Sequence, residues 1–275
     1  MPARHPERIV CLTEEGTETL YLLGEERRIV GISGYTVRPP RARREKPRVS
    51  AFLSAKNEKI VELKPDLVIG FSDLQADIAR DLAKAGLNVL IFNQRSVQEI
   101  LDMILALASL VGATQKGHEL VRRLEDGLAQ IRAAAARFPR RPRVYFEEWD
   151  EPMISGIRRV SELVEIAGGE DVFGAQSHSQ AATGRIVADP KVVVQKNPEV
   201  ILGSWCGKKF RPERVAARPG WQQIEAVRHG ELHEIKSADI LQPGPAALTD
   251  GVAQIHEILR RFSDRAAGTR SQAAG

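Results

Sequence analysis

The sequence predicts an α/β protein made of two Rossmann-like lobes joined by a single long α-helix. Two observations predict it: an internal repeat of strand and helix patterns divides the 275 residues into halves, and a long amphipathic stretch lies between them. Composition agrees, since 43% apolar and 28% charged residues are the usage of ordinary soluble globular proteins.

The first copy opens with Arg8-Ile-Val-Cys-Leu-Thr13, a short apolar strand followed by Glu14-Glu15. Its counterpart is Arg143-Val-Tyr-Phe146, followed by Glu147-Glu148. A helical pattern follows in each half, Thr17-Glu-Thr-Leu-Tyr-Leu-Leu-Gly24 and Ser161-Glu-Leu-Val-Glu-Ile-Ala-Gly168. Each is expected to open on a Ser/Thr cap and to close at glycine. The third match is Leu63-Lys-Pro-Asp-Leu-Val-Ile-Gly70 against Lys196-Asn-Pro-Glu-Val-Ile-Leu-Gly203. There a proline ends a helix and a nearly continuous apolar run follows, which is how a strand buried on both faces of a parallel sheet reads.

Between the copies, Leu120, Val121, Leu124, Leu128 and Ile131 recur at helical spacing, and Pro139-Arg-Arg-Pro142 punctuates the chain before the second copy. The expected organisation is an N-terminal lobe over 1–110, a helical spine over 111–138, a C-terminal lobe over 139–265 and a disordered tail over 266–275.

Net charge is +4, and the dense basic run Arg38-Pro-Pro-Arg-Ala-Arg-Arg-Glu-Lys-Pro-Arg48 carries no aromatic residue. It reads as a solvated loop between two strands, which sets nucleic acid aside. Cys11 and Cys206 are too few for a disulfide framework. No apolar run of membrane-spanning or signal-peptide length occurs, so the chain as written reads as a cytoplasmic monomer without membrane insertion, periplasmic if a leader has been removed.

Parallel sheets bind ligands beyond the carboxyl ends of their strands. The residues expected there are Thr13, Glu14 and Glu15; Phe71, Ser72 and Asp73; Asn93, Gln94 and Arg95; Glu147, Glu148 and Trp149; and Ser204, Trp205, Cys206, Lys208 and Lys209. Trp149 and Trp205 stand out, because a large flat side chain at a strand exit can grip a planar macrocycle; the alternative is that each caps its sheet as core. Glu147, Glu148, His178 and Cys206 form an alternative metal set, although no close ligand spacing supports it, so no metal is expected. An enzyme using Cys206 as nucleophile, or the paired glutamates as acid and base, can be constructed. No GxSxG, P-loop or GxGxxG fingerprint completes it, so no catalytic residue is assigned.

Arg8-Ile-Val with Glu18, Ile29-Val-Gly-Ile-Ser33, Ile60 to Gly70, Ala167-Gly-Gly-Glu170 and Asn197-Pro-Glu-Val200 together resemble the class III substrate-binding proteins of ABC importers, the cobalamin-binding members most closely, over about residues 8–262. The resemblance implies a non-enzymatic binding protein, without a cofactor, whose ligand is a corrinoid or, alternatively, a ferric siderophore, haem or a metal ion. It also implies aromatic ligand contacts from Phe52, Phe71 and Trp205, and a permease partner docked through surface carboxylates. Asp77 is the N-lobe candidate for docking, while the C-lobe position falls near Gln242. A cytoplasmic corrinoid carrier or sensor is the variant.

Overall fold

The computed structural model describes residues 5–273, with side chains placed through Ala266. The chain divides into two compact units, one of Met1–Gln94, Gln98–Leu124 and Gln242–Pro245, the other of Arg95–Val97, Glu125–Leu241 and Ala246–Gly275.

The first unit runs β1 (Ile9–Cys11), α1 (Glu14–Leu22), β2 (Ile29–Ser33), α2 (Ala42–Glu45), β3 (Arg48–Ser50), α3 (Asn57–Glu62), β4 (Leu67–Phe71), α4 (Ala76–Lys84), β5 (Val89–Phe92) and α5 (Val97–Leu110). Helix α6 (Thr114–Ala135) then begins in this unit and continues into the stretch assigned to the other, inside the predicted 111–138 spine. The strands pair in the order β3-β2-β1-β4-β5, every pair parallel. Alternation along the strands explains the two-sided burial. Ile9, Cys11, Leu67 and Ile69 pack with Leu20, Leu107 and Val111 on one face. Val10, Leu12 and Val68 pack with Ile60, Ile78 and Leu82 on the other.

The second unit holds β6 (Arg143–Asp150), β7 (Met153–Ser155), α7 (Arg158–Ile166), β8 (Glu170–Asp171), α8 (Lys191–Lys196), β9 (Val200–Gly203), α9 (Pro212–Ala216), α10 (Glu225–Arg228), β10 (Leu232–Glu234), α11 (Ser237–Ile240) and α12 (Val252–Ala273). The order is β10-β9-β6-β7, with β8 also paired to β6; all pairs are parallel except β6 with β7. Tyr145 and Ile201 face a core with Trp205, Phe210 and Trp221. Helix α12 extends to Ala273, through most of the segment predicted as a tail, and the last two residues lie outside the described ones.

The repeat is physical. Strand β1 pairs with β2 and β4 as β6 pairs with β8 and β9. In each unit the acid after the proline staples the start of the first strand. The Asp66 N–H donates to the Arg8 carbonyl, while the Asp66 carboxylate accepts from the N–H groups of Glu7 and Arg8 at 2.7 and 3.0 Å. The Glu199 N–H donates to the Arg143 carbonyl, and its carboxylate accepts from the Arg143 N–H at 3.1 Å and from Arg140. Lys64 and Asn197, each just before the proline, both take left-handed backbone, φ +46° and +42°.

Two features of the predicted repeat are corrected. Thr17 and Ser161 are buried inside α1 and α7 rather than capping them; the helices start a turn earlier, and Thr17 Oγ1 donates back to the Thr13 carbonyl. The carboxylate pairs also differ, since Glu14 and Glu15 open α1 whereas Glu147 and Glu148 lie within β6, which runs on to Asp150 and turns into β7. The hairpin turn at Glu151-Pro152 was the sequence sign that this strand continues past the glutamates.

Candidate functional site

At the carboxyl end of the first sheet, α1 starts directly from β1, so its first turn brings Glu14, Glu15 and Glu18 together out of water. Thr13 Oγ1 donates to Glu15 Oε1 at 2.6 Å, and Arg38 Nε donates to Glu18 Oε1 at 2.9 Å. Glu14 accepts a backbone hydrogen bond from Val37, yet burial, and secondarily the neighbouring Glu15 charge, push its carboxyl up to about 8. The segment Gln242–Pro245 closes on this turn. The Pro243 carbonyl accepts from Gln94 Nε2 at 2.9 Å, and a Cβ on Gly244 would come within 2.5 Å of the Glu15 Cβ.

Phe71 is buried at the end of β4. Its N–H donates to Gln75 Oε1 at 2.9 Å, and Gln75 Nε2 donates to the carbonyl of half-buried Phe52 at 2.9 Å. Gln75, which sequence reasoning passed over, thus ties the β4 exit to the loop after β3. A side chain at Gly70 would displace Gln75 from this arrangement, because its Cβ would lie 2.6 Å from Gln75 Oε1. Asp73 is exposed beside Phe71. The loops after β2, β3 and β4 also expose Tyr35, Leu53 and Leu74, at 58, 68 and 59%. A large apolar residue within a few positions past a strand, in a loop that also carries polar residues, is the signal that would have found them. Asp77 is exposed on the first turn of α4 and pairs with Arg80 at 2.6 Å.

In the second unit the strand exits are tightly charged. Glu147 is wholly buried: it accepts from Arg218 Nη1 and Nη2 at 2.5 and 2.9 Å, Trp205 Nε1 at 3.0 Å and the Tyr145 hydroxyl at 3.1 Å. Glu148, on the next position of β6, receives Arg185 at 2.6 Å. Trp149 is half-buried, its Nε1 donating to the Glu151 carbonyl, with the Lys208 ammonium 3.9 Å from its ring centroid. Lys208 also donates to Asp150 at 2.5 Å. Burial alone would raise the Asp150 carboxyl, but the Lys208 hydrogen bond and charge outweigh it and hold the group below its usual range.

Against the expectation of a ligand-facing ring, Trp205 is 2% exposed, its Nε1 on Glu147 and its ring edge-on to Phe210 at 5.1 Å. The capping alternative describes it. The alternative metal set is not brought together either: Glu147 is committed to Arg218, His178 lies in a short exposed turn, and among the described residues no three His, Cys, Asp or Glu side chains are placed to hold a metal. Cys206 is exposed, whereas Cys11 is buried and its thiol pushed up to about 12 by burial. Arg95 is half-buried, and its carbonyl accepts from the Arg159 N–H at 2.8 Å. Among the described residues, no helix is long and apolar enough to cross a membrane.

The chain is 26% identical over 260 residues to an uncharacterized ABC transporter substrate-binding lipoprotein of Bacillus subtilis, covering 92% of this chain and 80% of the other. It is 27% identical over 265 residues to the vitamin B12-binding protein of Vibrio cholerae, covering 92% and 89%. The haem complex of the Staphylococcus aureus protein IsdE superposes with a TM-score of 0.79 at 20% identity, covering 94% and 99%, which is a likeness of fold. With the family profile matched over residues 9–238, the chain belongs to the periplasmic binding protein family, whose members are substrate-binding proteins.

Proposed function

We propose that this chain is the ligand-binding component of an ABC importer, that it carries out no reaction of its own, and that its ligand is a corrinoid of the cobalamin type. The observation that supports this most is the likeness to the vitamin B12-binding protein, which runs almost the whole length of both chains. The strand-exit surfaces agree with it. In the first unit Tyr35, Phe52, Leu53 and Leu74 offer apolar and aromatic area, which suits a large flat macrocycle held mainly by area removed from water, and in the second unit Trp149 offers a half-buried aromatic ring. Glu14, Glu15, Phe71 and Asp73 of the first unit, and Arg95, Glu148 and Cys206 of the second, are proposed as further ligand contacts, each within its own unit. Asp77, exposed at the head of α4, is proposed as a docking carboxylate for the permease.

Calorimetric titration with cyanocobalamin, haemin and a ferric siderophore tests the reading. One cyanocobalamin per chain is expected. Saturation by haemin without cobalamin binding would transfer the assignment to haem, the ligand in the IsdE complex. Fractionation of cells expressing the native gene separates an exported receptor, the expected outcome, from a cytoplasmic carrier.

A further inference from the structure

We infer that Glu147 is a positioning residue for ligand binding: its carboxylate fixes the segment Ser204–Arg218 from below and thereby sets where Cys206, Gly207, Lys208 and Lys209 stand at the carboxyl end of the second sheet. The inference rests on the reading that this edge meets the ligand.

Glu147 reaches both ends of that segment. Its carbonyl accepts from the Ser204 N–H at 2.9 Å, and its Oε1 accepts from Trp205 Nε1 at 3.0 Å. At the far end, Arg218 donates to both carboxylate oxygens, at 2.5 and 2.9 Å, in the two-pronged geometry that a guanidinium and a carboxylate share. The Arg218 guanidinium is itself held over the Trp221 ring at 4.5 Å. Between the ends, Phe210 lies so close over Gly203 that a Cβ there would come within 1.9 Å of its ring, and it packs edge-on to Trp205. The inward residues Trp205 and Phe210 are buried, while all four residues from Cys206 to Lys209 are exposed. Lys208 then reaches back to Asp150 and the face of Trp149, so its place also follows from how the segment is anchored.

Glu199 supplies the contrast within the same sheet. It too is buried and ion-paired, to Arg140, but it staples the amino end of β6 and touches no strand exit. Its loss should weaken the fold and leave the segment in place.

The experiment compares E147Q with E199Q in the full chain. Three quantities are read: thermal midpoint, cyanocobalamin affinity by calorimetry, and the rate of Cys206 alkylation by iodoacetamide, to which buried Cys11 is silent. Losing a charged hydrogen-bond partner while Arg218 stays in place should weaken cyanocobalamin binding about tenfold or more in E147Q and speed alkylation by a similar factor. E199Q should lower the midpoint with both other readouts at the wild-type value. An E147Q protein with wild-type affinity, or with wild-type alkylation, overturns the inference, as does an E199Q protein that shifts both as far. If the wild-type chain binds neither cyanocobalamin nor haemin nor a ferric siderophore, the ligand reading falls. The alkylation contrast then decides alone: faster labelling in E147Q only upholds the positioning part, and equal labelling overturns it.

Discussion

Two tryptophans at neighbouring strand exits have opposite surroundings, and this separates affinity from stability. Trp205 is core, so Trp205→Ala opens a cavity and removes one of the donors to Glu147; it should cost about 3–5 kcal/mol of unfolding free energy, measured by urea denaturation. Trp149 is only half-buried at the edge of the same core, so Trp149→Ala should cost about 2–4 kcal/mol of cyanocobalamin affinity, measured by calorimetry, and less stability than Trp205→Ala. The sequence reading placed both residues just past a strand, whereas Trp149 lies within β6, and no pattern shows which way each ring turns. That choice was made by Gly203, Phe210 and Glu147, which are distant in the chain or silent in any pattern. Glu14 gives a pH test. Its folded carboxyl titrates at about 8 rather than near the ordinary 4.5, so the fold favours the neutral acid. That contribution is fully present below pH 4.5 and is lost as pH rises through about 8. Glu14→Gln, which stays neutral, should therefore gain thermal midpoint over the wild type as pH is raised from 5 to 9, on the order of a few degrees at the upper end. A constant difference across that range would mean that Glu14 is ionised throughout in the folded chain.

At the scale of elements, the proline-led strand motif was legible because its cause is local. A helix must stop, a left-handed residue turns the chain, proline blocks further helix, and the acid that follows finds the first N–H groups of the adjoining strand. Both units solve the same problem in the same way, a left-handed residue, a proline and an acid, and so the pattern recurs. The strands β1, β4 and β9 stand where their apolar runs placed them, since two buried faces leave little freedom to polar positions. The hairpin of β6 and β7 was missed because its alternation is interrupted by charges, and these are accepted only because Arg185, Arg218 and Lys208 arrive from later segments. The repeat also suggests an exchange. Lys64 holds φ +46° with a side chain poorly suited to it, whereas the equivalent residue of the other unit is Asn197. Lys64→Asn should stabilise the protein by about 0.5–1 kcal/mol, since asparagine visits the left-handed region at lower cost. An unchanged urea midpoint at constant slope would show that the backbone there relaxes freely.

For the whole molecule, a substrate-binding protein is recognised by what its ligand does to the folding equilibrium. A ligand that binds only the folded chain adds about 2.7 kcal/mol at a hundred times its dissociation constant. For a chain of this size that corresponds to a rise of several degrees in thermal midpoint. Thermal scans with cyanocobalamin, haemin, a ferric siderophore, and ferric or zinc ion alone should therefore show one chelate raising the midpoint in proportion to the logarithm of its concentration. The bare ions should leave it unchanged, because Glu147 and Glu148 are already neutralised by arginines and no trio of metal-binding side chains is assembled among the described residues. Stabilisation by a bare ion, abolished by Cys206→Ser or by alanine at His178, would reverse this conclusion. It would require the loop after β9 and the turn at His178 to meet in a metal-bound state, and the large apolar area at Tyr35, Leu53 and Leu74 would then have no part in binding.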